Sequence, residues 1–180
     1  MPNRENTENL YYSYDINNVH FVSLNSEIPY QKFDEEYKLS FQKWLDNDLH
    51  LTNKRWKVVY LHRPLYCSMP DDYHCISSSK WMRNLLEEIL QKNKVDLVLA
   101  GHVHAYERLF PIYNNEIDEE SLKNEENTYD NPKYPVHIVC GAGGNREGYE
   151  NCKINFFFLI YFFIFIYLFF KILLILIQKS

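Results

Sequence analysis

Apolar and polar residues recur with two distinct periods along the first 150 residues, and these periods predict strands that alternate with helices. Residues 11–24 alternate like two β-strands around Asn17 and Asn18, a pair that favours a tight turn. Between Asp34 and Leu51, apolar residues return at helical spacing. A second helix is predicted from the apolar stripe made by Trp81, Leu85, Leu86, Ile89 and Leu90.

Two short apolar segments frame the most informative part of the chain. Trp56–Leu61 and Val95–Ala100 have the composition of strands that are covered on both faces, which indicates an α/β fold. His62 follows the first strand directly, and His102 and His104 follow the second. Because α/β sheets hold ligands at the carboxyl ends of their strands, we expect all three histidines at one edge of the sheet.

The spacing of His102 and His104 adds to this expectation. In extended backbone, residues two apart project to the same side, so both imidazoles could face one metal ion. Histidines at this spacing also occur as solvated loop residues or as hydrogen-bonded residues of a strand end. The arrival of His62 from a second strand favours the metal site, since neutral imidazole binds zinc and iron well.

Two motifs carry a family resemblance. Val59-x-x-His62 and the segment Gly101–Arg108 resemble the last two metal motifs of the purple acid phosphatases, members of the calcineurin-like metallophosphoesterases. The resemblance covers about Met1–Gly148 and is closest to the animal and protist long-form branch. Further segments match in the same order, namely the predicted hairpin, Leu65–Ser68 and Pro135–Gly144.

This resemblance implies a fold and a metal centre. The fold would be a partial metallophosphoesterase β-sandwich flanked by helices. The centre would be dinuclear, with Fe(III) beside Zn, Fe or Mn. His62 and His102 would bind the divalent ion and His104 the ferric ion. Two such metals activate a hydroxide that attacks phosphorus, so the implied substrate is a phosphate monoester.

The substrate side of the implied site is less complete. Plant relatives place paired histidines shortly after the Val-x-x-His motif, where this chain offers only His74. His74 is therefore the candidate general acid, although a solvated loop histidine has the same appearance in sequence. Arg63 could contact phosphate through its fork of N–H groups, or it could form a surface ion pair.

Three further family motifs are absent from the sequence. They are Gly-Asp-x-Gly, Gly-Asp-x-x-Tyr and Gly-Asn-His-Glu, which supply the remaining aspartate, tyrosine and asparagine ligands. We therefore expect residues 1–150 to be the C-terminal portion of the catalytic domain in an incomplete chain, with an incomplete metal centre. An independently evolved half-domain is the alternative.

The net charge of the chain limits the classes of partner that it is expected to bind. A formal net charge of −5 provides no basic face, so nucleic-acid binding is not expected.

Cys67 and Cys75 bracket one loop and could form a disulfide in an oxidising compartment, while Cys140 is expected to be a buried thiol. Residues 114–135 are rich in acidic and amide side chains and predict a solvated loop. By resemblance the protein would be secreted or lysosomal.

The last segment departs from the family. Residues 154–177 are almost entirely apolar and long enough to cross a bilayer, for which about 20 residues suffice. They predict a C-terminal transmembrane helix and a membrane location. Their monotony of Phe, Ile, Leu and Tyr is also what translated A/T-rich non-coding DNA would give.

An acid phosphatase is thus the function that the sequence indicates. A phosphodiesterase of the same superfamily is the second enzymatic hypothesis. A catalytically inactive, membrane-tethered fragment is the non-enzymatic one, favoured by the missing upstream motifs.

Overall fold

Six strands form a mixed sheet in the computed structural model, which describes residues 10–27, 35–68, 73–123 and 128–143. The strands along the chain are β1 Tyr11–Ile16, β2 Val19–Leu24, β3 Trp56–Leu61, β4 Leu97–Ala100, β5 Tyr106–Arg108, β6 Ile112–Tyr113, β7 Glu116–Ile117, β8 Leu122–Lys123, β9 Thr128–Tyr129 and β10 Val136–Cys140. The sheet has the order β1-β2-β3-β4-β10-β5. Its four central strands run parallel, and β1 and β5 pair antiparallel at the two edges.

The strand predictions are confirmed with one shift of boundary. Asn17 has a φ of 49°, as the tight turn between β1 and β2 requires. The predicted strand from Val95 instead begins at Leu97. The Val95 N–H donates to the carbonyl of Leu90, near the end of the preceding helix, at 3.0 Å. Val95 therefore belongs to the turn that follows the helix.

Two helices, α1 Glu35–Leu51 and α2 Tyr73–Lys92, confirm the predicted helical segments. Helix α1 connects β2 to β3, and α2 connects β3 to β4. Parallel crossovers are almost always right-handed, so two in succession along one direction place both helices on the same face of the sheet. The shared core confirms this arrangement, since one buried cluster contains Leu45 of α1, Leu86 of α2, and Val22, Val59 and Val98 of the sheet.

The other face of the sheet is lined by aromatic side chains. The rings of Tyr14 and Phe21 stack with their centroids 5.3 Å apart, and the hydroxyl of Tyr60 donates to that of Tyr12 at 3.4 Å. The second sheet of the expected β-sandwich is not found among the residues that the structure describes. The α/β sheet with helices is therefore confirmed, and the sandwich is not.

The prediction of a solvated loop over residues 114–135 is wrong in part. The segment contains β7, β8, β9 and a 3₁₀ helix at Glu119–Ser121. Asp118 is only 4% exposed, and its carboxylate accepts the backbone N–H of Lys133 at 2.8 Å. The acidic composition gave no sign of this, because the carboxylate of Asp118 bonds to a backbone N–H instead of to water.

The predicted membrane helix at residues 154–177 lies outside the described residues. Among the helices that are described, none is long and apolar enough to cross a membrane. Cys140 was expected to be buried, and this prediction is wrong, because the residue is the last of β10 and is exposed.

Candidate metal centre

His62 and His102 are brought together by neighbouring parallel strands. Leu61 at the end of β3 is in register with Ala100 at the end of β4, and the Gly101 N–H donates to the His62 carbonyl at 3.0 Å. The histidine that follows each strand is therefore placed at the same carboxyl edge. His62 Nε2 lies 3.1 Å from His102 Nδ1, and the ring centroids are 4.9 Å apart with an interplanar angle of 77°.

This separation fits two nitrogen ligands of one metal ion. At zinc–nitrogen distances of about 2.0–2.1 Å and a tetrahedral angle, two ligand nitrogens lie roughly 3.3 Å apart. The observed 3.1 Å between His62 Nε2 and His102 Nδ1 is close to that value. His62 is exposed and His102 half-buried, so a cation could approach from solvent. The spacing of the two nitrogens is thus compatible with one shared ion, and binding of that ion by His62 and His102 stays a prediction.

The backbone at His102 is itself unusual. Its φ is 65°, in the left-handed region that non-glycine residues seldom occupy and that concentrates at functional sites. Residues 102–105 form consecutive bends. The buried Val103 and Ala105 anchor these bends, and the Gly141 N–H, just after β10, donates to the Ala105 carbonyl at 3.1 Å.

The same bends bear on the expected position of His104. The expectation that His102 and His104 project to one side assumed extended backbone, and this assumption is wrong for residues 102–105. Within the described part of the chain, no group of three or more histidine, cysteine or acidic side chains is arranged to hold a metal ion. His104 is half-buried on the same loop, and its role as a ligand stays a prediction.

Arg63 and Glu27 extend the site beyond the histidines. Arg63 Nε and Nη2 donate to the two carboxylate oxygens of Glu27 at 2.7 and 2.9 Å, and Nη1 donates to His102 Nε2 at 3.1 Å. The Arg63 side chain is 11% exposed, so its ion pair with Glu27 is not the surface pair that the sequence suggested. Burial disfavours ionisation of Glu27, but the hydrogen bond and charge of Arg63 outweigh burial and lower the pKa of this carboxyl.

Glu27 was missed by sequence reasoning, although a signal was available. It lies three residues beyond the end of β2, which neighbours β3 at the same carboxyl edge. Applying the strand-end rule to every polar residue, and not to histidines alone, would have placed Glu27 near Arg63.

The loop after His62 is fixed by two side-chain links. Cys67 and Cys75 form the predicted disulfide, with Cα atoms 6.1 Å apart, which joins this loop to the first turn of α2. The carboxylate of Glu107 accepts the N–H and the hydroxyl of Ser68 at 3.0 and 2.8 Å. The backbone of His74 lies in the same helical turn as Cys75, whereas its side chain is outside what the structure describes. Its catalytic role stays a prediction.

Comparisons with known proteins find relatives of this chain. The calcineurin-like phosphoesterase family model matches residues 3–106. Purple acid phosphatase 21 of Arabidopsis thaliana is 39% identical over 153 residues, covering 82% of this chain and 30% of the relative. Acid phosphatase type 7 of Mus musculus is 36% identical over 153 residues, covering 78% of this chain and 34% of the relative.

A solved structure shows the same fold. The purple acid phosphatase PPD1 from yellow lupin seeds superposes with a TM-score of 0.60 at 28% identity, covering 84% of this chain and 26% of the lupin chain. The chain thus spans about a third of the length of the curated relatives it matches.

Proposed function

Because the chain belongs to the calcineurin-like phosphoesterase family and its relatives are acid phosphatases, we propose that it contributes His62 and His102 to a dinuclear site that hydrolyses phosphate monoesters. The observation that carries this proposal is the convergence of His62 Nε2 and His102 Nδ1 at 3.1 Å. When bound, a metal pair polarises the phosphate ester and activates water for attack at phosphorus.

The proposed roles differ among the histidines. His62 and His102 hold the divalent ion, which is Zn, Fe or Mn, and His104 holds Fe(III). His74 donates a proton to the leaving oxygen; the Cys67–Cys75 disulfide supports this role because Cys75 is the next residue to His74 in α2 and Cys67 follows His62 by five residues. Gly101 supports the pair because its N–H donates a hydrogen bond to the His62 carbonyl, which keeps the ends of β3 and β4 in register.

The aspartate, tyrosine and asparagine ligands of the family have no counterpart in the sequence. Residues 1–150 therefore correspond, in this proposal, to the C-terminal portion of the catalytic domain, and an upstream region completes the cage. The coverage of about a third of each relative supports this correspondence. Location in the secretory pathway, outside the cell or in the lysosome, and a membrane anchor at residues 154–177, belong to the same proposal.

The test uses a full-length version in which an upstream region with the three missing motifs precedes this chain. Hydrolysis of p-nitrophenyl phosphate is measured with added iron and zinc. Substitution of His102 or His104 by alanine should lower kcat by at least a hundredfold, since each removes a ligand of one metal. His50→Ala is the matched control, because His50 is an exposed histidine on α1 away from the sheet edge.

Retention of activity in His102→Ala and His104→Ala would contradict the proposal. Faster turnover of bis-p-nitrophenyl phosphate than of the monoester would identify a phosphodiesterase of the same superfamily instead. Inactivity of the full-length version itself would favour the tethered, catalytically inactive protein.

A further inference from the structure

The Cys67–Cys75 disulfide packs against the loop that carries His102. Residues 101–105 form this histidine loop, and part of it belongs to a small buried cluster that is separate from the main core. The cluster draws on three elements and consists of Cys75 of α2, Val103 and Ala105 of the histidine loop, and Val139 of β10. Cys67, which is half-buried, packs against the cluster. The disulfide is therefore part of the apolar packing that holds the histidine loop.

The hydrogen bonds within the histidine loop are short-range. The Val103 N–H donates to the Gly101 carbonyl, and the Ala105 N–H donates to the Val103 carbonyl, each at 2.8 Å. Bonds between residues two apart shape the loop but do not attach it to another element. The Gly141 N–H, which donates to the Ala105 carbonyl at 3.1 Å, attaches the loop to the end of β10. Packing against Cys75 adds an attachment to α2.

Helix α2 is anchored unevenly along its length. Its buried residues in the main core lie beyond the first turn and are Met82, Leu85, Leu86 and Leu90. In the first turn, Cys75 is 1% exposed, whereas the neighbouring Ile76 is 52% exposed. Helix ends fray more readily than helix interiors. The disulfide therefore secures the end of α2 that lies furthest along the chain from these core residues.

The other end of the disulfide is fixed independently. Ser68, the next residue to Cys67, donates through its N–H and its hydroxyl to the Glu107 carboxylate of β5, at 3.0 and 2.8 Å. Glu107 is 6% exposed and pairs in register with Val139 of the cluster. If the S–S bond opens, Cys67 stays attached to β5 through its neighbour, and the first turn of α2 is the part that is released.

We propose that the Cys67–Cys75 disulfide is a redox-sensitive support, and that its reduction by a dithiol loosens the histidine loop. A thiolate of the dithiol attacks the half-buried Cys67 sulfur, and the S–S bond breaks with its electron pair on Cys75, which takes up a proton. The second thiol of the reductant then displaces Cys67 from the mixed disulfide. Two electrons have then passed from the dithiol, now a cyclic disulfide, to the two cysteine thiols. The loosening itself does not depend on the proposed function, whereas its effect on catalysis rests on that function.

The experiment compares the oxidised and the reduced full chain in the absence of metal. Every sample carries Cys140→Ser and Cys152→Ser, so that Cys67 and Cys75 are the only cysteines left. Dithiothreitol is the reductant, and a thiol assay verifies that the disulfide has opened. Amide hydrogen exchange is then measured residue by residue by NMR.

Reduction should loosen one region and leave the central sheet unchanged. Exchange should become roughly tenfold faster at three hydrogen-bonded amides, those of Val103, Ala105 and Gly141. The amides of Val22 and Val59, on central strands, should keep their rates. Cys67→Ser should match the reduced chain and should not respond to dithiothreitol. In the full-length version, this variant should lower kcat for p-nitrophenyl phosphate by roughly tenfold, because a displaced ligand costs activity.

The packing of Cys75 should protect the disulfide in return. A thiolate is disfavoured in apolar surroundings, so Cys75 leaves readily only after it has moved out of the cluster. Because coupling between two events is reciprocal, loosening the histidine loop should make the disulfide easier to reduce. Val103→Ala should lower the dithiothreitol concentration at half-reduction by roughly fivefold. Val19→Ala, at a buried valine on β2, should leave it unchanged, and equal midpoints for the two variants would contradict the coupling.

Two exchange results would overturn the proposal. One is equal exchange at the histidine loop in the oxidised chain, the reduced chain and Cys67→Ser. The other is faster exchange at every amide, Val22 and Val59 included, since the disulfide would then stabilise the whole fold and not this loop. If Cys67→Ser does not fold, reduction of the oxidised chain and the Val103→Ala midpoint still decide the proposal. Inactivity of the full-length version with its disulfide intact would contradict the proposed function alone.

Discussion

His62 Nε2 lies 3.1 Å from His102 Nδ1, although the two residues are 40 positions apart in the chain. The pairing of β3 with β4 ends at Leu61 and Ala100, and just beyond it the Gly101 N–H donates to the His62 carbonyl. The backbone therefore sets this distance. A substitution that changes how the strand ends meet should therefore affect metal binding even without touching either imidazole. Gly141 offers such a substitution.

Gly141→Ala should weaken both the fold and the site. A Cβ at this position would lie 2.1 Å from the Val103 carbonyl oxygen, in the loop that carries His102. Because the neighbouring atoms are backbone, the loop must move, and overpacking of this kind costs about 1–3 kcal/mol of unfolding free energy. Denaturant unfolding measures the loss of stability, and calorimetry should show weaker zinc binding.

Gly143→Ala is the matched control for this prediction. Nothing lies within 4 Å of a Cβ built on Gly143, and the residue follows the same strand. Its unfolding free energy should stay within about 0.5 kcal/mol of wild type, as for other surface substitutions. Equal effects of the two substitutions would mean that the close approach of Gly141 to Val103 has no energetic importance.

An ionic network centred on the buried His20 joins the β1–β2 hairpin to α1. His20 Nδ1 faces Asp15 Oδ1 at 2.8 Å, and Nε2 faces Asp48 Oδ2 at 2.9 Å. Asp48 also accepts the Ser13 hydroxyl at 2.7 Å, and Lys54 Nζ lies 3.5 Å from Asp15. With a carboxylate at each nitrogen, the imidazole of His20 is held as a double donor, the charged form. Burial opposes this charge, but the hydrogen bonds and charges of Asp48 and Asp15 raise the pKa of His20 overall.

The raised pKa of His20 predicts a direction of pH dependence. The network contributes its full stability below the unfolded pKa of about 6.5 and loses it as the pH rises through the higher folded pKa. His20→Gln should therefore cost about 2–3 kcal/mol near pH 6, the worth of hydrogen bonds to charged groups, and progressively less in alkaline solution. Urea unfolding of both proteins from pH 6 to 9 tests this. A cost that does not change with pH would show that His20 is not charged in the fold.

His137 should act in the opposite direction. It is 4% exposed, its ring meets that of Tyr66 edge to face, and burial, with the charge of Arg83, lowers its pKa to about 3. Below about pH 6.5 this histidine binds a proton in the unfolded chain but stays neutral in the folded chain. The folded state therefore loses stability as the pH decreases from about 6.5 towards 3.

Replacing His137 by phenylalanine should flatten this acid dependence. The variant should lose less stability than wild type between pH 6.5 and 4, by roughly 1 kcal/mol per pH unit. His50→Gln, at an exposed position, should keep the wild-type slope. Thermal unfolding at several pH values provides the measurement, and identical slopes for His137→Phe and wild type would contradict the prediction.

Periodicity and apolar composition were enough to predict β1 to β4 and both helices, but they did not predict β5 or β10. Trp56–Leu61 and the α2 stripe form the expected elements, because each of them packs apolar side chains into the shared core. Cover on both faces was predicted for this strand, whereas the described helices lie on one face only. The meeting of His62 and His102 also followed from sequence, since parallel strands place their carboxyl ends at one edge. These features depend on local pattern and on a general rule of sheet topology.

Contacts between distant polar residues could not be predicted in the same way. The ion pair of Arg63 with Glu27 joins residues 36 positions apart, and the partner is set by tertiary packing. The positive φ of His102 is imposed by its loop and has no glycine or asparagine to announce it. That single dihedral removes the premise of extended backbone, from which His102 and His104 were expected to project to one side.

Calorimetric titration of zinc into the full chain tests the central claim most directly. The wild-type chain and His50→Ala should bind zinc with the same dissociation constant, and the double variant His62→Ala/His102→Ala should lose that binding by at least a hundredfold, because both nitrogen ligands are gone. Zinc binding of equal strength in the double variant would contradict the assignment of these two histidines as the metal site.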